Sequence, residues 1–514
     1  MRTGAGQSAF HLVRWVILAW CVIGIVQLAV TQLPLISLHE SVGYGDSYIF
    51  YTVENFRQTG ILYPPVGPDH LTPVLYSPLL YLMHFAAWLA VPAANPYLGP
   101  RLLELFWFLA CVFMAGALTR RLIPARSSFT LGILLAASYS MMIPWVLQLR
   151  ADFPGITCSL LTLWFLTSRG RRSIIFAGIC AGLALQFKIT FVAAAVAGCA
   201  WLIFYRRWRA LAEFAVATGV FSVGLYAAFW WREPEMLRQM LTLKKVPPHL
   251  PGLVVFFRQL VAEPGVLLAL AGLLPMFGFL LARQRPRLQL MLIFVMISAS
   301  AATLASLQPG ASLNYFYEAI FAATPFAVLA LLRLEARASL TASLLVALVL
   351  LTTSVLPRAS HTRVSKVAGR NQNYEDLRHA LSGVRLVSSV PDVTFLTPDP
   401  VITEPYLLTD LSMAHGVDLS PLTDKISQQY FDLAVTHPAN YSWRGIPQLE
   451  PGLRSAITAS YVPYCLRGDD LFHLPKDRPP LALEEKLRSI GCEVVTCGPG
   501  TKCPGLSVAI EAFK

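Results

Sequence analysis

The sequence predicts an all-helical bundle that crosses a membrane many times and carries a small α/β domain at its C-terminal end. Three observations lead there. Of the 514 residues, 55% are hydrophobic and only 14% charged, whereas a soluble chain needs about a quarter charged to hydrate its surface. The mean hydropathy is +0.56, and apolar runs near the ~20 residues that cross a hydrocarbon core recur along most of the chain. Between those runs the arginines come in short knots, the pattern of cytoplasmic loops under the positive-inside rule. The formal net charge of +12 therefore reads as topology. A nucleic-acid face, which needs its basic residues spread over one surface, is not what the pattern offers.

The first run, 12–30, follows Arg2; it is too long for a cleaved signal peptide, lacks a small-x-small cleavage site, and is expected as a retained span. The knots Arg120/Arg121/Arg126, Arg169/Arg171/Arg172, Arg206/Arg207/Arg209, Arg283/Arg285/Arg287 and Arg333/Arg337 are placed inside. The apolar runs then pair as hairpins spanning 13–35, 101–119, 128–148, 153–168, 173–187, 190–205, 211–231, 264–282, 288–306, 316–334 and 338–356. That gives eleven crossings, with the N-terminus cytoplasmic and the C-terminus outside. The stretch 72–91 is apolar enough to span, yet counting it would turn every later knot outward. Its Pro73, Pro78, His84 and tyrosines suit a helix lying in the interface or a re-entrant hairpin.

Two domains follow: a membrane domain, 1–356, whose outer loop 37–100 bears juxtamembrane helices, and an extracytoplasmic domain, 357–514. The tail turns soluble in composition, with β-branched runs at 392–396 and 431–436 and helical stretches near 374–381 and 480–490. Five cysteines lie in apolar runs; Cys465, Cys492, Cys497 and Cys503 cluster in the tail. No CxxC pair or histidine partner makes these a zinc site, which leaves free thiols or two disulfides. Disulfides would place the tail in an oxidising compartment.

An ionisable residue at a membrane boundary asks for a reason, and here the unusual ones fall on the outer side. Asp46 follows the first span, next to Tyr44; Glu54 and Arg57 come after it at helical spacing; Arg150 and Asp152 sit between two spans. Lys188 joins two short spans, and Asn314, Tyr315, Tyr317 and Glu318 open the tenth. Each has a plain structural explanation. Asp46 would serve as a helix N-cap, Arg150 and Asp152 as a boundary pair, Lys188 as a snorkelling lysine, and Glu318 as a packing partner of a neighbouring span. Their convergence on one face argues for a site. Carboxylates beside Lys and Arg suit taking a proton from a hydroxyl and neutralising charge on a phosphate leaving group. The scattered histidines and unpaired carboxylates call for no metal or other cofactor, though a divalent ion stays open, and no Walker loop supports ATP hydrolysis.

These residues resemble the C-type membrane glycosyltransferases (the GT-C superfamily), and among them bacterial members similar to the aminoarabinose and protein-mannosyl transferases, over roughly 10–360. Gly45-Asp46-Ser47, with Tyr48, Asn55 and Gly60-Ile61-Leu62-Tyr63, looks like the family's first outer loop, where an early acidic residue lies at the catalytic centre. Tyr76-Ser77-Pro78-Leu79-Leu80-Tyr81 looks like its juxtamembrane stretch, and Arg101-Leu102-Leu103 like the start of its second span. Arg150-Ala151-Asp152 is similar to its second acidic motif, Gly182 to Lys188 to a Gly-rich helix ending in Lys, and Asn314 to Glu318 to a motif of some bacterial members. Asp46 stands without the adjacent acidic residue many members carry, on which a two-carboxylate site would depend; the cysteine-bearing tail is not a general family feature.

The resemblance implies inverting transfer of a sugar from a polyprenyl-phosphate donor to a hydroxyl of a glycan, lipid or protein acceptor, at the outer face of a bacterial inner membrane. Asp46 would be the general base and Asp152 would orient Lys188 and Arg150, which hold the donor phosphate. Tyr44, Glu54, Asn314, Tyr315 and Glu318 would line the sugar or acceptor pocket. The loop 232–263, with Arg238, Lys244, Lys245, His249 and Arg258, would either close over the lipid or lie solvated. A transporter or flippase of lipid-linked sugars is the main rival, although it would place its ionisable residues near the midplane and often show repeated halves. A scaffold using the tail as a binding module is the third reading, and it leaves Asp46, Asp152 and Lys188 without a role.

Overall fold

The computed structural model describes residues 4–43, 45–66, 73–92, 95–242, 250–279, 285–307, 312–337, 367–388, 401–402, 418–436, 451–467, 470–477 and 480–495. The chain divides into two compact units. One comprises Met1–Ser37, Tyr76–Phe229 and Pro247–Val367; the other comprises Leu38–Leu75, Trp230–Val246 and Ala368–Lys514.

The first unit is helical. Its elements are α1 (Gly4–Gln32), α3 (Pro78–Ala90), α4 (Leu98–Leu122), α5 (Ser128–Ala137), α6 (Asp152–Leu166), α7 (Arg171–Phe187), α8 (Ala193–Phe204) and α9 (Trp208–Arg232). They continue with α11 (Leu250–Val261), α12 (Pro264–Leu273), α13 (Pro286–Ala305) and α14 (Tyr317–Arg337); α2 (Asp46–Thr59) and α10 (Glu235–Thr242) begin within the second unit. Among the described residues, five helices are long and apolar enough to cross a bilayer: Leu18–Ser37, Leu98–Leu122, Trp208–Arg232, Pro286–Ala305 and Leu313–Arg333. Leu253–Val261 and Gly265–Met276 make a sixth if the pair, bent by 88°, is one broken span. The chain is thus a multi-pass membrane protein.

Each of the first ten expected runs carries a helix, but several are shorter than a span. The 128–148 run forms ten-residue α5 and then a 3-10 turn, Ser140–Trp145, containing Pro144; 264–282 forms α12 and a second 3-10 turn, Leu274–Phe279. A ten-residue helix rises about 15 Å, half the ~30 Å hydrocarbon core. The eleventh expected run, 338–356, lies outside the described residues. Thirteen-residue α3 starts with Pro78 in its first turn, where the missing N–H costs nothing.

Small residues set the close packing of the bundle. A Cβ on Gly178 would come 2.6 Å from the Phe214 carbonyl oxygen, and one on Gly182 2.8 Å from that of Thr218. This small-xxx-small stripe lets α9 lie against α7 and fixes the end of α7, from which Lys188 emerges. Val216, Val220 and Val223 on α9 are more than half exposed, as an outward apolar face of a span would be.

The second unit is built on a six-stranded sheet in the order β2-β1-β3-β5-β4-β6. β1 (Leu386–Ser388) pairs in parallel with β2 (Val401–Ile402) and β3 (Leu433–Thr436); antiparallel pairs then join β5 (Asp470–Pro475), β4 (Tyr461–Arg467) and β6 (Glu493–Val494). Alternation along the strands gives two apolar faces. Leu386, Leu433, Val435, Phe472 and Leu474 pack with Leu377 and Leu381, and with Leu483 and Leu487 of the helix Leu481–Ser489. Val387 and Ala434 pack instead with Leu422 and Ile426 of Ser420–Ser427 and with Leu453 and Ile457 of Pro451–Ser460. Helices on both faces of a partly parallel sheet make the expected α/β domain. The 392–396 run lies outside the described residues, whereas 431–436, 374–381 and 480–490 fall on β3 and on the helices Val367–Ala380 and Leu481–Ser489.

The first part of the outer loop, Leu38–Leu75, belongs to this unit. The His39 backbone N–H donates to the Asn371 amide oxygen at 2.9 Å, and its Nδ1 lies 2.9 Å from Glu375. Glu233 accepts the backbone N–H groups of Leu62 and Tyr63 at 2.9 and 2.6 Å. Gln239 acts as a backbone substitute, accepting from the Val74 N–H at 2.8 Å and donating to the Pro64 carbonyl at 2.6 Å.

Candidate active site

Asp152 opens α6, after Ala151 at the N-cap, where a carboxylate meets the positive end of the helix dipole. Lys188 caps the C-terminal end of α7 in extended conformation (φ −161°), and its backbone N–H returns to the Ala184 carbonyl. The Lys188 ammonium donates to Asp152 Oδ1 at 3.3 Å and stands 4.0 Å above the centre of the Tyr315 ring. Asn314 donates from Nδ2 to Asp152 Oδ2 at 2.6 Å. The two charged side chains are only 11% and 6% exposed. Burial works against the ammonium, and the Asp152 carboxylate outweighs it, holding the Lys188 pKa above the ordinary lysine range.

Next to this pair the 3-10 turn Leu313–Phe316 leads into α14 and Glu318. The Glu318 carboxylate accepts from Ser159 at 2.6 Å and from Ser298 at 2.7 Å. Asp152, Lys188, Asn314, Tyr315 and Glu318 line one cavity with Thr190, Phe191 and Ser298. Its free volume of about 10 Å³ accommodates a single water molecule. Arg150 stands alongside: its Nε donates to Gln148 at 2.8 Å, its guanidinium lies 4.3 Å from the Trp145 ring centre, and its charge reaches Lys188. The site thus sets two cations beside the carboxylates of Asp152 and Glu318, with hydroxyls and an aromatic face next to them. Such a setting stabilises a phosphate oxyanion.

The structure brings together Asp152, Lys188, Asn314, Tyr315 and Glu318, with Arg150 beside them. Asp152 takes Lys188 as its partner, so the expected Arg150–Asp152 boundary pair gives way to Arg150 stacked on Trp145. Asp46 and Glu54 belong to the second unit. Asp46 is buried and is not an N-cap: Gly45 holds that position, and Asp46 Oδ2 accepts the N–H groups of Val42 and Gly43 at 3.0 and 3.1 Å. Glu54 binds Arg57 and Gln58 of its own helix, each at 2.6 Å. Tyr44 lies outside the described residues, as do Lys244, Lys245 and His249 of the 232–263 loop; Arg238 pairs with Glu235 at 3.3 Å. Cys465 and Cys492 form a disulfide, while Cys497 and Cys503 lie outside the described residues. Among the described residues no three His, Cys, Asp or Glu side chains gather as metal ligands would. Sequence reasoning missed Ser159, Ser298, Thr190 and Phe191, whose small or apolar side chains leave no mark in a hydropathic run.

No protein-family model matches the sequence, and no curated relative does either. Solved structures do match. ArnT from Cupriavidus metallidurans in its apo state aligns with a TM-score of 0.61 at 15% identity, over 88% of this chain and 97% of that one. ArnT from the same organism bound to undecaprenyl phosphate gives a TM-score of 0.58 at 15% identity, over 90% and 97%. The chain shares the fold of these structures. The oligosaccharyltransferase of Archaeoglobus fulgidus, in its apo form, matches with a TM-score of 0.55 at 13% identity, over 90% of this chain and 74% of that one. At such identities the likeness concerns the fold alone.

Proposed function

We propose that this protein is a membrane glycosyltransferase that moves a sugar from a polyprenyl-phosphate donor to an acceptor hydroxyl on the outer face of a bacterial inner membrane. The observation that carries this reading is the buried Lys188–Asp152–Asn314 cluster with Arg150 beside it. Lys188 and Arg150 neutralise the donor phosphate, and Asp152 and Asn314 hold Lys188 in place. The fold supports the same assignment, since a matched structure, ArnT, was solved with undecaprenyl phosphate bound. The names of the matched proteins support a transferase over a transporter. The Cys465–Cys492 disulfide supports an oxidising compartment for the tail, in keeping with the eleven-span topology read from the arginine knots.

The acceptor oxygen attacks the anomeric carbon as its bond to the phosphate oxygen breaks. The bonding pair leaves on polyprenyl phosphate, the configuration inverts, and the hydroxyl proton passes to a carboxylate. Asp46 is assigned as that base on its sequence context, with Asp152 kept for orienting the cations. The test is transfer of radiolabelled sugar from polyprenyl-phosphate donors by reconstituted protein, wild type beside Asp46→Asn. Asparagine keeps an oxygen for the Val42 and Gly43 amides, so a folded variant with transfer reduced at least about a hundredfold supports Asp46 as base. Full activity in that variant removes the assignment.

A further inference from the structure

Helix α4 carries two charged side chains that the proposed reaction leaves unused, Arg101 and Glu104, one turn apart and both 0% exposed. Arg101 Nη1 donates to the carbonyls of Leu35 and Ile36 at 3.0 and 3.5 Å, so it fixes the end of the first span. Glu104 turns toward the site. Its Oε1 accepts the backbone N–H of Arg150 at 3.3 Å, and the same oxygen lies 3.2 Å from His84 Nε2 on α3, in contact although off the line of a straight hydrogen bond. His84 is itself 0% exposed. The approach of α3 to α4 is enforced at Gly99, where any Cβ would collide with the Ala87 carbonyl.

A buried carboxylate is retained at a cost unless it is paired and bonded. This one accepts the amide of Arg150, which lies two residues before Asp152 in the sequence. Building on the glycosyltransferase reading, we infer that Glu104, steadied by His84, is a positioning residue for the donor-phosphate site: it pins the Arg150 backbone and thereby the turn that aims Arg150 and Asp152. The pair ties α3 to the same turn, so a shift of that helix is transmitted to the phosphate-binding cations. Neither residue touches substrate.

The experiment compares wild type with Glu104→Leu, Glu104→Gln and His84→Gln in the full-length reconstituted protein. Hydrogen exchange of the peptide covering 146–153 is read alongside KM and kcat for a polyprenyl-phosphate sugar. Glu104→Leu removes the acceptor; exchange at the Arg150 amide is expected to rise about tenfold or more. The donor KM is expected to rise roughly 10- to 100-fold with kcat within about threefold. Glu104→Gln retains a carbonyl for the Arg150 N–H and is expected to recover most of both losses, which a purely structural role for the charge would not predict. His84→Gln, the milder change, is expected to move both readings in the same direction, and it decides the matter if Glu104→Leu does not fold. Unchanged exchange and KM in Glu104→Leu, or in His84→Gln where that variant decides, overturn the inference. Wild-type protein that transfers no sugar removes the glycosyltransferase reading, while the exchange data still decide whether Glu104 holds the turn.

Discussion

Replacing Lys188 by methionine tests whether the buried cation serves stability, ligand or both. The change leaves the Asp152 carboxylate, 6% exposed, with its 2.6 Å bond from Asn314 and without the ammonium. Removing one partner of a buried pair costs about 3–5 kcal/mol; the 3.3 Å separation and partial exposure of Lys188 put the loss near the lower end. Pairing the change with Asp152→Asn neutralises both members at nearly constant volume, and the double variant is expected within about 1 kcal/mol of wild type. Ligand binding does not recover with it. A hydrogen bond to a charged group is worth about 1.5–3 kcal/mol, so the double variant should bind undecaprenyl phosphate roughly 10- to 150-fold more weakly. Thermal unfolding in micelles reads the first quantity, and equilibrium binding of the radiolabelled lipid the second. Wild-type affinity in the double variant would remove Lys188 from the phosphate site. A single variant as stable as the double one would contradict the buried ion pair.

The sheet domain offers two further tests. His473, 2% exposed and 2.8 Å from the Thr436 hydroxyl, has its pKa lowered by burial to about 3. Above about pH 6.5 neither folded nor unfolded chain protonates it, so its contribution is fully present there. Below that value the unfolded chain takes up the proton first, and about 1.4 kcal/mol is lost per pH unit until the folded pKa is reached. The protection factors of the β3 and β5 amides, corrected for the intrinsic exchange rate at each pH, should therefore fall between pH 7 and 5 in wild type and much less in His473→Gln; equal slopes would show the imidazole to be hydrated. The Cys465–Cys492 bridge closes a loop with a sequence separation of 27, worth about 3.5 kcal/mol of loop entropy. Cys465→Ser with Cys492→Ser should lower the unfolding temperature of this domain and abolish its sensitivity to reductant, and a persistent effect of reductant would point to other cysteines.

Apolar runs made the helices legible, because a span must hydrogen-bond its own backbone and expose apolar side chains to lipid. Their breaks were harder to read. Hydropathy averages over Pro144, so 128–148 reads as one run, whereas the ring denies a helical hydrogen bond and the chain passes into a 3-10 turn. The charged half of the site was visible, since Asp152 and Lys188 interrupt apolar surroundings. Which partner each would choose was not visible. Asp152 meets Lys188 only after α6 and α7 fold back on each other, and nothing local separates that pairing from one with Arg150. Ser159 and Ser298, which hold Glu318, lie in apolar runs where a single hydroxyl barely changes hydropathy. In the tail, 431–436 alternates little because both faces of β3 are covered, and its β-branched content carried the assignment; β4, with Pro463 and mixed exposure, gave no comparable signal.

The second compact unit is assembled from three separated stretches, Leu38–Leu75, Trp230–Val246 and Ala368–Lys514. During synthesis the first of these leaves the ribosome roughly 300 residues before the last begins, which at ~5–20 residues per second is a delay of about 15–60 s. Through that interval Val66 and Leu75 have no sheet to pack on, because the cluster they join is made of residues from Val387 onward. This part of the outer loop, Leu38–Leu75, is therefore a dependent of the chain's final third. A nascent or truncated chain ending before 368 would present it as a substrate for holdase chaperones and proteases, and folding of the extramembrane unit is expected to be post-translational, completed only as the last strand is delivered.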